Sequence, residues 1–393
     1  MNLSLYFHIP FCEKRCNYCD FNTTTGKSTL IPDYIGALSK EIKYFKQFCD
    51  EYHVHSVYFG GGTPSLIPIS RYETLFAIIE SNFHLTDDCE ISLEANPGTL
   101  SVDYVSGLKA LGFNRVSLGV QSTQSYDLQR LGRIHDVNEI LSSFAILRKA
   151  GFNNINLDMI FGLPWQDLSS WENSLQRALI LKPEHFSLYS LIIEPGTKLY
   201  EWYQKGWVNL QDQDLEGDMY ELAMDTLSQE GFEQYEISNW ARKSSKKDYR
   251  SRHNLQYWLN APYLGFGAGA HGYFHNIRTE NEPDLEKYIA RLFASSTCGL
   301  DFPQSSGTVR TEKVDKSTQM KDFMWLGLRL IQEGASKNRF MDWYGESMED
   351  VFMDEITYLI NQGLVAWDSA SKNNLRLTKG GILVANQVFM QFV

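Results

Sequence analysis

Leu5-Tyr-Phe-His-Ile-Pro-Phe-Cys-Glu-Lys-Arg-Cys-Asn-Tyr-Cys-Asp-Phe21 is the stretch on which the reading of this chain turns. An apolar strand runs into Cys12, Cys16 and Cys19, three thiols within eight residues. They lie too close together to staple a domain through disulfides, and their C-x3-C-x2-C spacing suits one metal centre. Structural zinc almost always takes four protein ligands, and the nearest histidine, His8, lies upstream in the strand. A [4Fe–4S] cluster held by three cysteines leaves its fourth iron open to another ligand. Three thiols therefore point to an iron–sulfur cluster more directly than to zinc.

Outward from this stretch, strands and helices alternate. Leu3–Ile9 reads as a buried strand, and Val54–Phe59 as a second that ends in Gly60-Gly-Gly-Thr-Pro64. Further strands are expected at Glu90–Ala95, Arg115–Val120, Ile155–Phe161 and Phe186–Leu191. Helical periodicity fills the gaps: Pro32 to about Tyr52, from about Ser70, after a Ser101 cap, and through Trp171–Leu181. Over Asn138–Ala150, Ile140, Leu141, Phe144 and Leu147 are expected on one face. A Gly-Phe pair recurs between helix and strand at Gly112, Gly151 and Gly231, as a weak βα repeat would place it. This alternation predicts an α/β fold with a parallel sheet, closed or nearly so.

After about Ile237 the pattern changes. Ala241–Arg252 is a polar, basic loop, His253–Phe274 is rich in glycine and aromatics, and Thr297–Thr311 reads as a linker. Helical segments from about Thr318 precede Gly363–Trp367 and Asn374–Thr378, which pair as a short hairpin, and a last helix from Lys379. The expected partition is a barrel over 1–237, a Gly/aromatic segment with its basic loop over 238–300, and a smaller α+β, winged-helix-like appendage over 312–393.

Composition narrows the class. With 43% hydrophobic and 21% charged residues, the chain is an ordinary globular protein able to bury a large core. A net charge of −12 argues against general nucleic-acid binding, which needs a basic footprint. No apolar run approaches the ~18 residues of a membrane span. The N-terminus lacks a basic region before its apolar stretch, unlike a signal peptide. Cys49, Cys89 and Cys298 are scattered singles, expected as buried small side chains. A reduced, cytoplasmic setting fits this usage.

In a parallel barrel, ligands gather at the C-terminal ends of the strands. Gly60, Gly61, Gly62 and Thr63 follow the second strand, where bare backbone can approach a ligand, although a tight turn would need glycines too. Glu94 ends the third strand before Asn96-Pro97, Gln121 and Ser122 end the fourth, and Arg133 lies in the loop beyond. Glu94 and Gln121 also read as satisfied polar groups of a barrel rim. Asp158 sits inside an apolar strand, where a charge is costly unless paired, so it is a ligand or ion-pair candidate.

The cysteine spacing resembles the signature of the radical S-adenosylmethionine (SAM) superfamily, whose fold is a partial (βα)6 barrel and whose open iron is chelated by SAM. Tyr6-Phe-His-Ile-Pro-Phe-Cys, Gly60-Gly-Gly-Thr-Pro, Glu94-Ala-Asn-Pro, Asn114-Arg-Val-Ser-Leu-Gly-Val-Gln-Ser122 and Asp158-Met-Ile-Phe-Gly-Leu-Pro164 resemble the oxygen-independent coproporphyrinogen III oxidase family over nearly the whole chain. That resemblance implies cluster ligands at Cys12, Cys16 and Cys19, and SAM contacts from Tyr6, Gly61, Gly62, Thr63, Glu94, Gln121, Arg133 and Asp158. Ile192 and His271 stand at two further such positions, with residue types that differ from the true oxidases.

Two departures matter. True oxidases carry a further cysteine two residues past the third, where this chain has Phe21, and an N-terminal extension, where five residues precede Tyr6. Conversely, His253-Asn-Leu-Gln-Tyr-Trp258 resembles the HNxxYW heme-binding motif of heme chaperones of the HemW type. In that reading His253 offers an imidazole to heme iron, and Tyr257 and Trp258 pack on the porphyrin. A lone loop histidine among core aromatics is the plainer reading of those six residues alone. Gly265–Gly272 lacks the βαβ surroundings of a dinucleotide fingerprint and is expected to bring backbone near SAM or porphyrin. Arg242–Arg252 would pair with heme propionates or an acidic partner surface, or stand solvated.

The expectation is thus a heme chaperone with a [4Fe–4S] cluster, SAM and heme as cofactors. Its expected partners are an acceptor hemoprotein, such as a respiratory one, and an electron donor for the cluster. The fold is expected to bind SAM and to be capable of cleaving it. The alternatives are oxidative decarboxylation of coproporphyrinogen III to protoporphyrinogen IX, which Phe21 disfavours, or another radical SAM reaction.

Overall fold

The computed structural model describes residues 2–48, 51–294 and 300–393. Cys49, Cys298 and the first residues of the expected linker lie outside the described residues, and Cys89 is buried. The described residues pack as two units, Met1–Ala223 with Pro262–Glu312, and Met224–Ala261 with Lys313–Val393.

The first unit is built around six strands, β1 (Asn2–Ile9), β2 (His53–Gly61), β3 (His84–Ala95), β4 (Arg115–Gln121), β5 (Ile155–Phe161) and β6 (His185–Ser190). They lie side by side in chain order, every neighbouring pair parallel. Helices Ile31–Phe45, Ile69–Asn82, Val102–Ala110, Val137–Lys149 and Leu168–Ile180 connect them. This is a partial (βα)6 barrel. It stays open because β1 pairs on its other side with Tyr263–Phe266, also in parallel. That strand leads into the antiparallel pair His271–Phe274 and Ile277–Asn281, with Thr308–Lys313 beyond.

Local chemistry explains the elements. β4 is buried at six of its seven positions, as a parallel strand covered on both faces must be. Phe7 stacks between Phe59 and Phe266 at 4.8 and 4.9 Å, tying β1 to both neighbours. Ser101 accepts from the Tyr104 N–H and caps Val102–Ala110 as its sequence suggested. In Val137–Lys149, started by an Asp136/Glu139 capping box, Ile140, Phe144 and Leu147 are buried. Leu141 is not on that face: it sits about 100° round the helix from Ile140 and is 49% exposed.

The second unit combines the hairpin Phe232–Glu236/Asn239–Arg242 with helices Arg252–Trp258, Lys316–Arg329, Lys337–Tyr344 and Met353–Asn361. Val365–Trp367 and Asn374–Leu377 form the expected antiparallel hairpin, widened by Ala335–Ser336 to three strands. No helix among the described residues is long and apolar enough to cross a membrane.

Candidate functional site: a cysteine loop over paired carboxylates

The cysteine loop leaves the C-terminal end of β1 and is laced to its surroundings by backbone. Gly62 N–H donates to Ile9 C=O at 2.7 Å, and Thr63 N–H to Phe11 C=O at 2.8 Å. Asn17 fastens the far side: its N–H reaches Leu131 C=O at 2.9 Å, and its amide reaches Arg130 C=O at 2.8 Å. Gly132, at φ 75°, closes the helix Ser125–Leu131 against it; a Cβ there would sit 2.8 Å from the Asn17 side chain.

Cys12, Cys16 and Cys19 are all half-buried and unbridged. Thr63 Oγ1 donates to Cys12 Sγ at 3.5 Å, and Arg133 Nη1 to Cys16 Sγ at 3.4 Å. Burial pushes the Cys12 thiol up, and the Cys19 thiol up to about 11. These are groups that a strongly electrophilic metal would have to deprotonate. Among the described residues, no three His, Cys, Asp or Glu side chains gather as ligands of a single metal ion.

Asn96 joins the two sides of the site, a role not foreseen for it. Its amide donates to Thr63 Oγ1 at 3.0 Å, and its Oδ1 accepts from Arg133 Nη2 at 2.5 Å. Arg133 Nη2 also donates to Gly119 C=O at 2.9 Å, while its buried Nε has no hydrogen-bond partner. A small cavity lined by Cys16, Thr63, Asn96, Gly132 and Arg133 opens here. A buried guanidinium that donates to a cysteine sulfur fits an anionic thiolate cluster.

The same unit also buries two carboxylates, Glu94 and Asp158. Glu94 accepts from Tyr58 Oη at 2.8 Å and from Gly61 N–H at 3.0 Å. Asp158 accepts from Ser117 Oγ at 2.8 Å and from the Asn156 amide at 2.7 Å, and Asn156 Oδ1 is held by the His185 imidazole at 2.6 Å. Burial, then the Asp158 charge, push Glu94 up to about 7; burial also raises Asp158. A buried carboxyl held up in part by a neighbouring carboxylate is a group that a bound cation would stabilise in its charged form.

The metal-free protein should register this in its stability. A raised carboxyl pKa means the folded state holds the proton more tightly than the unfolded one. Its stabilising contribution is present below the ordinary value of 4.5 and is lost as pH rises through about 7. For Glu94 the loss is on the order of 3 kcal/mol. Denaturant titrations at pH 5 and pH 8 should show a smaller drop in Glu94→Gln than in wild type. Equal drops would mean that Glu94 does not carry this strain.

Tyr6, Gly61, Gly62, Thr63, Glu94, Gln121, Arg133 and Asp158 thus share the first unit with the three cysteines. The N–H groups of Gly61, Gly62 and Thr63 donate to Glu94, Ile9 and Phe11. Gly61, at φ 113°, lies against the His8 ring. Gln121 takes φ 64°, a sparsely populated conformation for a non-glycine residue, at the register shift that ends β4. Ser122 is internal scaffolding, donating to Asp127 at 2.7 Å. Ile192 is 67% exposed, and His271 stands exposed in its strand opposite Glu280.

His253 lies in the second unit. It is not in a loop: Ser251 caps a helix, Arg252–Trp258, that places His253 and Tyr257 one turn apart. His253 is 2% exposed, with its Nε2 2.9 Å from Tyr257 Oη. Trp258 packs under the Arg329 guanidinium at 4.1 Å. The basic loop is not wholly solvated either, since Arg250 bridges Asp248 and Glu333 at 2.8 and 2.6 Å.

The pattern of the radical SAM superfamily matches residues 6–178. The chain is 38% identical to "Heme chaperone HemW" of Bacillus subtilis (strain 168), over 99% of each chain. It is 34% identical to the Lactococcus lactis protein of that name, over 99% of this chain and 97% of the other. A mouse protein, "Radical S-adenosyl methionine domain-containing protein 1, mitochondrial", is 32% identical over 98% of this chain and 86% of its own. Among solved structures, coproporphyrinogen III oxidase (HemN) from Escherichia coli superposes with a TM-score of 0.83. That match covers 99% of this chain and 89% of the other at 24% identity, a likeness of fold.

Proposed function

We propose, for a chain that belongs to the HemW heme-chaperone family within the radical SAM superfamily, that it binds heme and hands it to an acceptor hemoprotein. In this reading Cys12, Cys16 and Cys19 would hold a [4Fe–4S] cluster, and Glu94 and Asp158 would be among the residues that hold SAM. The observation that carries the reading is the HNxxYW sequence, folded as the helix Arg252–Trp258, in a chain that matches named heme chaperones from end to end.

The chain's own residues divide the work. When bound, the cluster and SAM supply one-electron chemistry. Glu94 and Asp158 offer their negative charge to the ammonium and sulfonium of SAM. Arg133 offsets the charge of the thiolates beside Cys16 and is fixed there by Asn96 and Gly119. Thr63 steadies Cys12. His253, with Tyr257 and Trp258 on the same helix, would supply the imidazole and aromatic surface for heme. Its burial means that Tyr257 must yield for iron to reach Nε2. An electron donor for the cluster and a cytoplasmic setting complete the proposal; the unbridged state of the described cysteines supports the latter.

Oxidase activity is the competing reading. Phe21, which stands where the true oxidases have a further cysteine, is 62% exposed and brings no ligand to the cysteine loop. Reconstituted protein should therefore bind heme and leave coproporphyrinogen III unconverted. His253→Ala should shift or remove the heme Soret band while sparing iron and sulfide content. Formation of protoporphyrinogen IX by the wild type would overturn the chaperone reading. An unchanged Soret band in His253→Ala would remove His253 from the heme site.

A further inference from the structure

Glu41 lies in the helix Ile31–Phe45, away from every residue assigned a role above, and it is 1% exposed. A buried carboxylate is costly unless its lone pairs are met, and here four donors converge on it. Oε1 accepts from Asn281 Nδ2 at 2.8 Å and Ser305 Oγ at 2.6 Å; Oε2 accepts from Gly267 N–H at 2.9 Å and Tyr288 Oη at 2.6 Å. Asn281 Nδ2 also reaches Gly267 C=O at 3.0 Å, so Gly267 is gripped at both of its backbone groups.

The turn seated in this way holds both ends of the cysteine loop. Where the chain runs into the loop, Tyr34 Oη donates to His8 C=O at 2.5 Å and accepts from Ala268 N–H at 3.1 Å. Where the chain comes out, Asn22 Nδ2 donates to Ala268 C=O at 3.0 Å. His8 closes the ring, its Nε2 donating to Asn22 C=O at 2.8 Å. Its Nδ1 faces Tyr6 Oη at 3.1 Å. There is no space to spare: Gly267 has φ 100°, and a Cβ on it would lie 2.7 Å from His8 C=O. The glycine-rich stretch therefore braces the loop from behind.

We propose that Glu41 is a positioning residue for the cluster and SAM site, acting through the Gly267–Ala268 turn on His8, Asn22 and Tyr6. This deepens the cluster-and-SAM reading above and rests on it. The decisive variant is Glu41→Gln. An amide NH2 must face either Gly267 N–H, which cannot become an acceptor, or Asn281, whose amide must then flip and give up Gly267 C=O, so the turn loses one of its two holds in either rotamer.

The test uses full-length protein reconstituted anaerobically, with SAM as the probe. It reads the SAM dissociation constant, the SAM-induced change in the reduced cluster's paramagnetic resonance spectrum, and the thermal midpoint. Glu41→Gln is expected to weaken SAM binding roughly 10–100-fold, as loss of an outer-shell partner does, and to blunt the spectral change. Leu108→Ala, a cavity in the buried face of Val102–Ala110, serves as a control for stability loss alone. If Glu41→Gln yields no folded protein, Tyr34→Phe cuts the links to His8 and Ala268 while leaving Glu41 in place, and should show the same direction of effect. Wild-type SAM affinity and spectra in Glu41→Gln or Tyr34→Phe, or a loss no greater than in Leu108→Ala, would overturn the assignment. Absence of any SAM response in the wild type would instead remove the cluster-and-SAM reading, and this proposal with it.

Discussion

Cys16→Ser should leave the reconstituted protein with almost no iron or sulfide, against about four of each per chain in the wild type. A serine hydroxyl stays protonated where a thiol gives up its proton to iron, and Arg133 would then face a neutral oxygen in place of Cys16 Sγ, 3.4 Å away. The same loss is expected for Cys12→Ser and Cys19→Ser, because with two thiolates a second iron is left without a protein ligand. Cys89→Ser should retain the full complement: that thiol is buried in β3, outside the cysteine loop, and donates to Glu90 C=O at 3.9 Å. Iron and sulfide near the wild-type ratio in Cys16→Ser would refute the cluster assignment.

Gly62→Ala should lose the cluster with every thiol intact. A Cβ at that position would come within 2.8 Å of Phe11 C=O, 2.9 Å of the Pro10 carbonyl carbon and 3.0 Å of Cys12 Sγ. Two of those three neighbours are backbone, already locked to the Gly62–Thr63 turn by two hydrogen bonds, so relief must come from displacing the cysteine loop. Overpacking of this kind costs about 1–3 kcal/mol, and here the cost falls on the segment that aims Cys12. Gly217→Ala is the matched control. It lies in the helix Gln213–Gln229 with nothing within 4 Å of the added atom. Removing a helical glycine there should stabilise by roughly 0.5–1 kcal/mol. A Gly62→Ala protein that fills with iron as the wild type does would show that the loop is softer than its contacts indicate.

What could be read in advance follows from the range of the interactions. The barrel strands were legible because each is a short buried run flanked by glycine, proline or capping residues, all visible within a dozen positions. The three cysteines announce themselves by spacing. The carboxylates were legible because a charge in an apolar strand demands a partner, and Asp158 has several. Glu41 gave no such sign: it sits in an amphipathic helix where glutamate is ordinary, and its donors come from residues 267, 281, 288 and 305. Asn96 was passed over because its two partners, Thr63 and Arg133, are brought to it only by the fold. The helix around His253 has seven residues between glycine-rich and basic stretches, too few for periodicity to speak, although Ser251 was a cap in plain view.

The order in which the chain visits its two units has a genetic consequence. It leaves the first after Ala223, returns at Pro262 and departs again after Glu312. Three crossings mean that no single cut yields two whole pieces. A stop codon after residue 312 would strand Met224–Ala261, including the His253 helix, without Lys313–Val393, against which it packs. A gene duplication or fusion with one junction faces the same difficulty. The unit with the cysteine loop and the unit with the HNxxYW helix are interleaved in the reading frame, so one recombination event cannot exchange either of them intact for a counterpart from another protein.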